Sequence, residues 1–564
     1  MILAIANLIV KLIGAFFKVP LYELLGKEGN GLFNVAYQIY TFMFIIATAG
    51  FPIAVSKMVA ESVARGDERD AKRVFETAQI LLGAIGIIGS LVLYVFADSL
   101  AALLNNSEAA MAIRMISPAV FLVAMVSAYR GYFQGKQNMY PTAGSEVIEA
   151  TAKLVIGIIA VIFVMNMAIN PKLDNVISFS SGEVRSNADR TVYAATGAIM
   201  GVTAGTLLSL ILMMIIYSFT EKKKSLNSGL NIRSRRTIMK ELVLIAIPIT
   251  IGASVSSLTS LVDLATIMNR LVVNPEVFER YAFLFAEGTE FAADAAEQGW
   301  IGAELLEKKA NSLYGMYTGQ AQTMFNLPLT MVVALSMSIV PAISAALEKN
   351  DRIEGKRMTE SVLRITMLFA MPCAVGLSVL AKPILELLYS DADANLLLQK
   401  LAIAVIFVGI VSVSNAVLQA YGKVYYPVYN MLAGGIVKVT MNYMFIPVWG
   451  IDGAPIATIA CYAVIAVLNI ICIIRVVKIK FSVLDMILKP LSAALIMGAV
   501  ALLVYNPLAE ATDYSRIATI AAIAVGCLVY VVVILLFKGL KREDVLNMPK
   551  GEKLAQILTR YKLL

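Results

Sequence analysis

Apolar residues along this chain fall in runs of about twenty, not at the spacing of an amphipathic helix or the alternation of a strand. At 1.5 Å rise per residue, a run of about 20 covers a hydrocarbon core of about 30 Å. The pattern predicts about fourteen spans: 2–22, 31–56, 74–98, 111–133, 140–166, 193–219, 241–268, 313–343, 361–385, 398–421, 427–447, 453–477, 489–505 and 515–537. The expected fold is an all-α polytopic membrane protein. The first run, Ile2 to Val19, carries Lys11 and Lys18 and lacks an A-x-A cleavage site, so it is expected as a retained span.

Two landmarks recur along the chain. Gly50-Phe51-Pro52-Ile53-Ala54-Val55-Ser56 closes the second span and precedes a basic loop ending Lys72-Arg73. Ile339-Val340-Pro341-Ala342-Ile343-Ser344 closes the eighth and precedes a basic loop ending Lys356-Arg357. Further on, Gly135-Lys136 with Tyr140-Pro141 opens the fifth span, and Gly422-Lys423 with Tyr426-Pro427 opens the eleventh. The proline-to-proline spacing is 89 residues in the first half and 86 in the second. This is the signature of an internal repeat. Six spans separate equivalents, so the halves share orientation and are related by an axis along the membrane normal. The expected organisation is an N-lobe at 1–219, a basic linker at 220–240, a C-lobe at 241–480, two further helices within 481–540, and a tail at 541–564.

Composition agrees with that picture: 564 residues, 59% hydrophobic and 15% charged, with a mean hydropathy of +0.78. A soluble chain carries nearer a quarter charged residues. The net charge of +8 is less informative than its distribution. Lys57 to Arg73, Arg130 and Lys136, Lys222 to Lys240, Lys349 to Arg357, Lys423, Arg475 to Lys489 and the tail from Lys538 all fall on one side. The opposite loops hold Lys172, Arg185, Arg190, Arg280, Lys308 and Lys309. The positive-inside rule places both termini in the cytoplasm, which needs an even number of spans. Two external segments are long. Residues 167–192 are polar, with Ser178, Ser180, Ser181 and Gly182 clustered; residues 271–312 are acidic, and Phe291 to Leu306 is expected as a surface helix.

Ionisable residues inside the spans are the candidate chemistry, because each costs roughly 2.5–3.5 kcal/mol at mid-bilayer on insertion scales. Lys11 and Lys18 share a face of the first span. Lys153 and Lys438 stand near the middle of the fifth and eleventh spans as repeat equivalents. Two symmetry-related lysines suit a cavity for an anionic substrate. For Lys153 a structural ion pair is an equal alternative, with Glu149 at i−4 and Glu146 at i−7 as local partners. Ser256, Ser260, Asp263 and Arg270 form a polar stripe on the seventh span. It reads as cavity lining or as interhelical glue, and Asp263 as an ion or proton site or as a partner of a basic residue. Asn415 and Gln419 read as helix-packing polars.

Several chemistries are disfavoured. The chain has no histidine, which excludes Ser-His-Asp, Cys-His and histidine–metal sites. Its four cysteines, Cys373, Cys461, Cys472 and Cys527, lie in apolar runs, so neither disulfides nor zinc are expected. Asp391-Ala392-Asp393 is a short, isolated DxD, and no metal site is expected. Lys222-Lys223-Lys224 suits anionic lipid rather than nucleic acid. There is no Walker A sequence and no dinucleotide fingerprint.

Particular residues carry a family resemblance. Lys11-Leu12-Ile13-Gly14 through Pro20-Leu21-Tyr22 and Leu25-Gly26, Arg130-Gly131-Tyr132-Phe133-Gln134-Gly135-Lys136, and Leu313-Tyr314-Gly315 through Gly319-Gln320 to Asn326-Leu327-Pro328 resemble the stage V sporulation protein B/YtgP group. That group is part of the multidrug/oligosaccharidyl-lipid/polysaccharide exporter superfamily, with the MurJ-type lipid II flippases. The resemblance implies two six-helix lobes around a central cavity, alternating access, two further helices at a lipid-tail groove, and a bacterial plasma-membrane location. It implies that Lys11 and Lys18 stand where such flippases carry basic residues. Two departures are visible. The basic pair of the Gram-negative second span has no counterpart between Gln38 and Ala49, and the eighth-span arginine falls near Thr323.

The expected function is a flippase for an undecaprenyl-pyrophosphate-linked peptidoglycan precursor, lipid II. It is expected to act as a monomer without a cofactor, driven by membrane potential or an ion gradient. Alternatives are a flippase for another polysaccharide repeat unit, a cation-coupled multidrug exporter and, from another class, a membrane glycosyltransferase.

Overall fold

The computed structural model describes residues 2–167, 187–221, 233–349, 351–479, 482–511, 515–541 and 544. Some side chains within these ranges, Ser256 and residues 333–342 among them, lie outside the description. So do the polar segment around Ser178, the run Lys222-Lys223-Lys224 and the tail beyond 544. All regular structure among the described residues is helical. The chain packs as two compact units, Met1–Gly319 and Gln320–Leu564.

The first unit holds α1 (Ile2–Thr48), α2 (Phe51–Ala64), α3 (Glu68–Val95), α4 (Ala97–Leu103), α5 (Ala109–Gly135), α6 (Tyr140–Met167), α7 (Asn187–Glu221), α8 (Arg235–Val273), α9 (Ala282–Phe285), α10 (Glu290–Gln298) and α11 (Gly302–Met316). Helix α1 packs on α5, α6, α8 and α11, and α6 on α7. The ring of Phe75 sits against Tyr129, Tyr132 and Tyr217, with centroids 5.0, 4.8 and 4.8 Å away. The second unit holds α12 (Gln322–Glu348), α13 (Arg352–Val379), α14 (Ala381–Leu388), α15 (Asn395–Ala402), α16 (Ala404–Ala420), α17 (Tyr425–Trp449), α18 (Gly453–Val477), α19 (Lys489–Ala511) and α20 (Ser515–Leu536). Here α17 packs on α18, α19 on α20, and α13 on α12, α16 and α19.

This division is one of packing, whereas the boundary expected at 220–240 is one of sequence similarity. Helix α8, which opens the expected C-lobe, packs on α1, α2, α3 and α11 within the first unit.

Among the described residues, ten stretches are long and apolar enough to cross a membrane, or eleven if α15 and α16, bent by 43°, form one span. Two of the ten are far longer than a crossing needs: Ile9–Ala64 with 56 residues and Tyr425–Val477 with 53. Contacts show that both fold back. A straight helix would place Phe17 and Phe33 about 24 Å apart, yet their ring centroids lie at 6.0 Å. The reversal falls at Gly26, whose φ of 65° favours glycine. In α17 and α18, Asn430 Nδ2 donates to Asn469 Oδ1 at 2.8 Å, and the reversal falls at Gly450, φ 60°. Prolines inside long helices (Pro20, Pro118, Pro248, Pro372) are tolerated because neighbouring helices re-satisfy the freed backbone groups.

The acidic external segment differs from expectation. Instead of one helix over 291–306 the chain forms α10 and α11, separated because Gly299 takes the left-handed conformation (φ 67°) that ends α10.

Candidate functional site

The cations predicted inside the first and fifth spans all lie in the first unit, where Lys18 and Lys153 come together. Because α1 doubles back at Gly26, its second limb presents an aromatic row at helical spacing. Phe33 stacks on Tyr37 at 5.5 Å, Tyr37 neighbours Tyr40 at 6.0 Å, and Tyr40 neighbours Phe44 at 5.8 Å. The Lys153 ammonium, from α6, lies 4.0 Å from the Tyr37 ring centroid and 5.2 Å from that of Phe17. Lys18 is near enough to Lys153 for the two charges to act on each other. Both lysines and Lys11 are half-buried, and none has a carboxylate partner among the described residues. Ring faces stabilise an ammonium by about 0.5–2 kcal/mol without neutralising it. A group of like charges in apolar segments therefore demands water or an anion.

The local ion pair offered for Lys153 does not form. Glu149 is taken by Arg130, whose Nη2 donates to Glu149 Oε2 at 2.8 Å. Arg130 also donates through Nε to Ser145 Oγ at 2.9 Å and through Nη2 to Ser209 Oγ at 3.4 Å. The planar guanidinium satisfies several acceptors at once, which a lysine at i+4 cannot match. Glu146 stands by the same pair, and its buried Oε2 has no hydrogen-bond partner. Other residues of the motif around Arg130 are also structural: Tyr132 joins the aromatic cluster, and Lys136 pairs with Glu68 at 3.0 Å.

The polar stripe of α8 is divided. Ser260 is exposed and Arg270 half-buried, whereas Asp263 is 6% exposed and acts electrostatically on Tyr314 of α11. Ser256 lies outside the described side chains. Lys438, expected to mirror Lys153, has a different environment. It is 8% exposed and shares a buried stripe with Asn430, Gly434 and Asn442. Asn430 on that stripe bonds Asn469 of α18, so Lys438 lies on a packed face of its own unit. Asn415 completes this network by accepting from Asn469 Nδ2 at 2.8 Å, as expected of a packing polar. The DxD is a turn: Gln320 Nε2 donates to Asp391 Oδ1 at 2.7 Å, and the backbone N–H of Asp393 donates to the same oxygen.

Two features were not read from sequence. The first is the aromatic seat of Lys153, signalled by Phe33, Tyr37, Tyr40 and Phe44 at helical spacing. The second is a cluster in which Lys308 donates to Glu28 at 2.6 Å and to Glu108 and lies 4.4 Å from the Trp300 ring centroid. Burial opposes the Lys308 charge, but the two carboxylates outweigh it and hold its pKa above the usual lysine range. Asn106 Nδ2 donates to Asn311 Oδ1 at 2.7 Å, and Asn311 Nδ2 to the Glu28 carbonyl at 2.9 Å. These bonds tie α11 to α1.

Comparison with solved structures finds the same fold in the lipid II flippase MurJ in its inward closed conformation. The TM-score is 0.66 at 16% identity, over 95% of this chain and 98% of that one. An inward-facing multidrug resistance MATE family transporter of the MOP superfamily matches with a TM-score of 0.58 at 14% identity, over 84% of this chain and 98% of that one. Fold and apolar helices together define a polytopic helical membrane protein. Residues 1–347 match the family model of the polysaccharide biosynthesis proteins, and residues 307–523 that of the lipid II flippase MurJ. The chain belongs to the polysaccharide biosynthesis protein family. Its relatives in Bacillus subtilis (strain 168) include the uncharacterized membrane protein YabM, 25% identical over 99% of this chain and 96% of that protein. Stage V sporulation protein B is 23% identical over 97% and 96%, and lipid II flippase MurJ 24% identical over 82% and 79%.

Proposed function

We propose that this transporter flips a polyprenyl-pyrophosphate-linked saccharide, the peptidoglycan precursor lipid II, from the inner to the outer leaflet by alternating access. The observation that carries the reading is the trio Lys11, Lys18 and Lys153, held in apolar segments without a carboxylate partner among the described residues. A pyrophosphate-linked lipid brings about two negative charges that must cross a low-dielectric slab, and unpaired ammoniums lower that cost. In this reading the protein has fourteen spans in two parallel repeats, with both termini in the cytoplasm of a bacterial plasma membrane, and works as a monomer in cell-wall biogenesis. The two hairpins at Gly26 and Gly450 support the higher span count. Membrane potential contributes about 2.3 kcal/mol per charge moved per 100 mV, and Asp263 is the proposed site for a coupling ion or proton.

A second reading, transport of another polysaccharide repeat unit, is favoured by the family that covers residues 1–347. The two are separated by rescue of a bacterium depleted of its lipid II flippase. Rescue by the wild-type chain and its loss in the Lys18→Ala, Lys153→Ala double variant, at equal membrane abundance, are expected. Failure of the inserted wild-type chain to rescue removes lipid II. Rescue undiminished in the double variant removes the lysines.

A further inference from the structure

A second cationic feature lies in the other unit. A cavity of about 510 Å³ opens between the start of α13 and the end of α18. Its lining brings Arg352, Lys356 and Arg357 from one helix together with Lys478 from the other, against the single carboxylate Glu360. Such a volume falls within the ~300–1,000 Å³ of small-molecule sites. Arg352, Lys356 and Lys478 have no carboxylate partner among the described residues. Of the acids beside them in sequence, Glu354 is drawn to Arg357 at 3.7 Å, and Asp351 accepts from the Glu354 N–H at 2.9 Å.

The rest of the lining is apolar. Val476 and Val477 close the last turn of α18, and Ile353, between two of the cations' turns, is 82% exposed. Both helices belong to stretches long and apolar enough to cross a membrane. The cavity therefore sits where an apolar slab ends and a charged surface begins. Lys478 adds a further sign. It ends α18 in the left-handed conformation, φ 57°, which glycine adopts without strain and a side-chain-bearing residue does not. The chain holds a lysine where backbone geometry favours glycine.

We propose that this cavity binds the phosphodiester headgroup of an anionic phospholipid in the cytoplasmic leaflet. Arg352, Lys356 and Lys478 hold the phosphate, and Ile353 and Val476 contact the first carbons of the acyl chains. The mixed lining selects a lipid over a free anion: phosphate alone leaves the apolar part unused, and a zwitterionic lipid brings a cation against the cluster. The placement rests on the cytoplasmic orientation proposed above. Basic pockets at the ends of membrane helices recognise anionic headgroups in this way.

The test uses the full chain purified in detergent. Binding of short-chain phosphatidylglycerol is titrated, with short-chain phosphatidylcholine and inorganic phosphate as the other arms. Expected are saturable binding of phosphatidylglycerol, at least about tenfold weaker binding of phosphatidylcholine, and no displacement by phosphate. Removing two charges in the Arg352→Gln, Lys356→Gln double variant is expected to weaken phosphatidylglycerol about tenfold. Lys478→Gly removes one charge while relaxing the backbone, so it is expected to weaken binding with its thermal midpoint unchanged or raised. Lys382→Gln, at an exposed lysine in the first turn of α14, is expected to bind as wild type. Equal affinity for the two lipids, displacement by phosphate, unchanged binding in the double variant, or equal loss in Lys382→Gln would each overturn the proposal. Lipid binding is read without transport, so a failed depletion rescue with these results intact removes the transported substrate and leaves this site standing.

Discussion

The helix triplets α5–α6–α7 and α16–α17–α18 each begin their second helix shortly after a Gly-Lys, with a Tyr-Pro in its first turn, and both are cross-linked by polar side chains. The chemistry of the cross-links differs. In the first, Arg130 and Glu149 form an ion pair braced by Ser145 and Ser209. In the second, Asn415, Asn469 and Asn430 bond one another in series. An ion pair in an apolar segment is costly unless every partner is present, whereas amides satisfy each other without net charge. The difference has a consequence one helical turn further on. Because Arg130 occupies Glu149, Lys153 is left to ring faces, whereas Lys438 in the other triplet lies on the packed face that carries the asparagines.

The largest effect is expected from breaking the ion pair on one side. Glu149→Ala should leave the Arg130 charge uncompensated and cost about 3 kcal/mol, read as a lowered denaturation midpoint of the purified protein. The Arg130→Ala, Glu149→Ala double variant should recover part of that loss; a double variant as unstable as the sum of the singles would contradict a coupled pair. Asn469→Ala, which removes two interhelical bonds at about 0.6 kcal/mol each, should cost about 1 kcal/mol. A loss as large as that of Glu149→Ala would erase the contrast between charged and neutral networks. The smallest effect tests what the units share. Asp67 caps α3 by accepting from the Asp70 N–H, and Asp351 caps α13 by accepting from the Glu354 N–H, each at 2.9 Å. Asp67→Ala and Asp351→Ala should each cost about 1 kcal/mol, and a marked inequality would show that the two caps are not equivalent devices.

Much of the site was legible because hydropathy is a local property. Lys11, Lys18, Lys153 and Lys438 stand out as charges inside apolar runs whatever surrounds them, and Asn415 could be read as a packing polar from its position in an apolar helix. Partnership was not legible. Glu149 at i−4 is the nearest candidate for Lys153 along one helix, yet Arg130, 19 residues away in sequence, reaches it first because α5 and α6 fold together. The stripe Ser260, Asp263 and Arg270 obeys helical spacing, but α8 has unlike neighbours at different levels, so exposure changes along it. The surface helix expected over 291–306 failed on two glycines of positive φ, Gly299 and Gly302.

The sequence alone settled that the chain is a helical membrane protein, which segments are apolar enough to cross, and where cations lie within them. Each of these follows from composition within a window of about twenty residues. Tertiary structure decided where long helices turn back, which carboxylate each cation meets, and which lysines meet none among the described residues. Those outcomes depend on distances of a few ångström between residues as far apart as Glu28 and Lys308, separated by 280 positions. Coulomb energy in a low-dielectric interior changes steeply over such distances, and only the packing of helices fixes them.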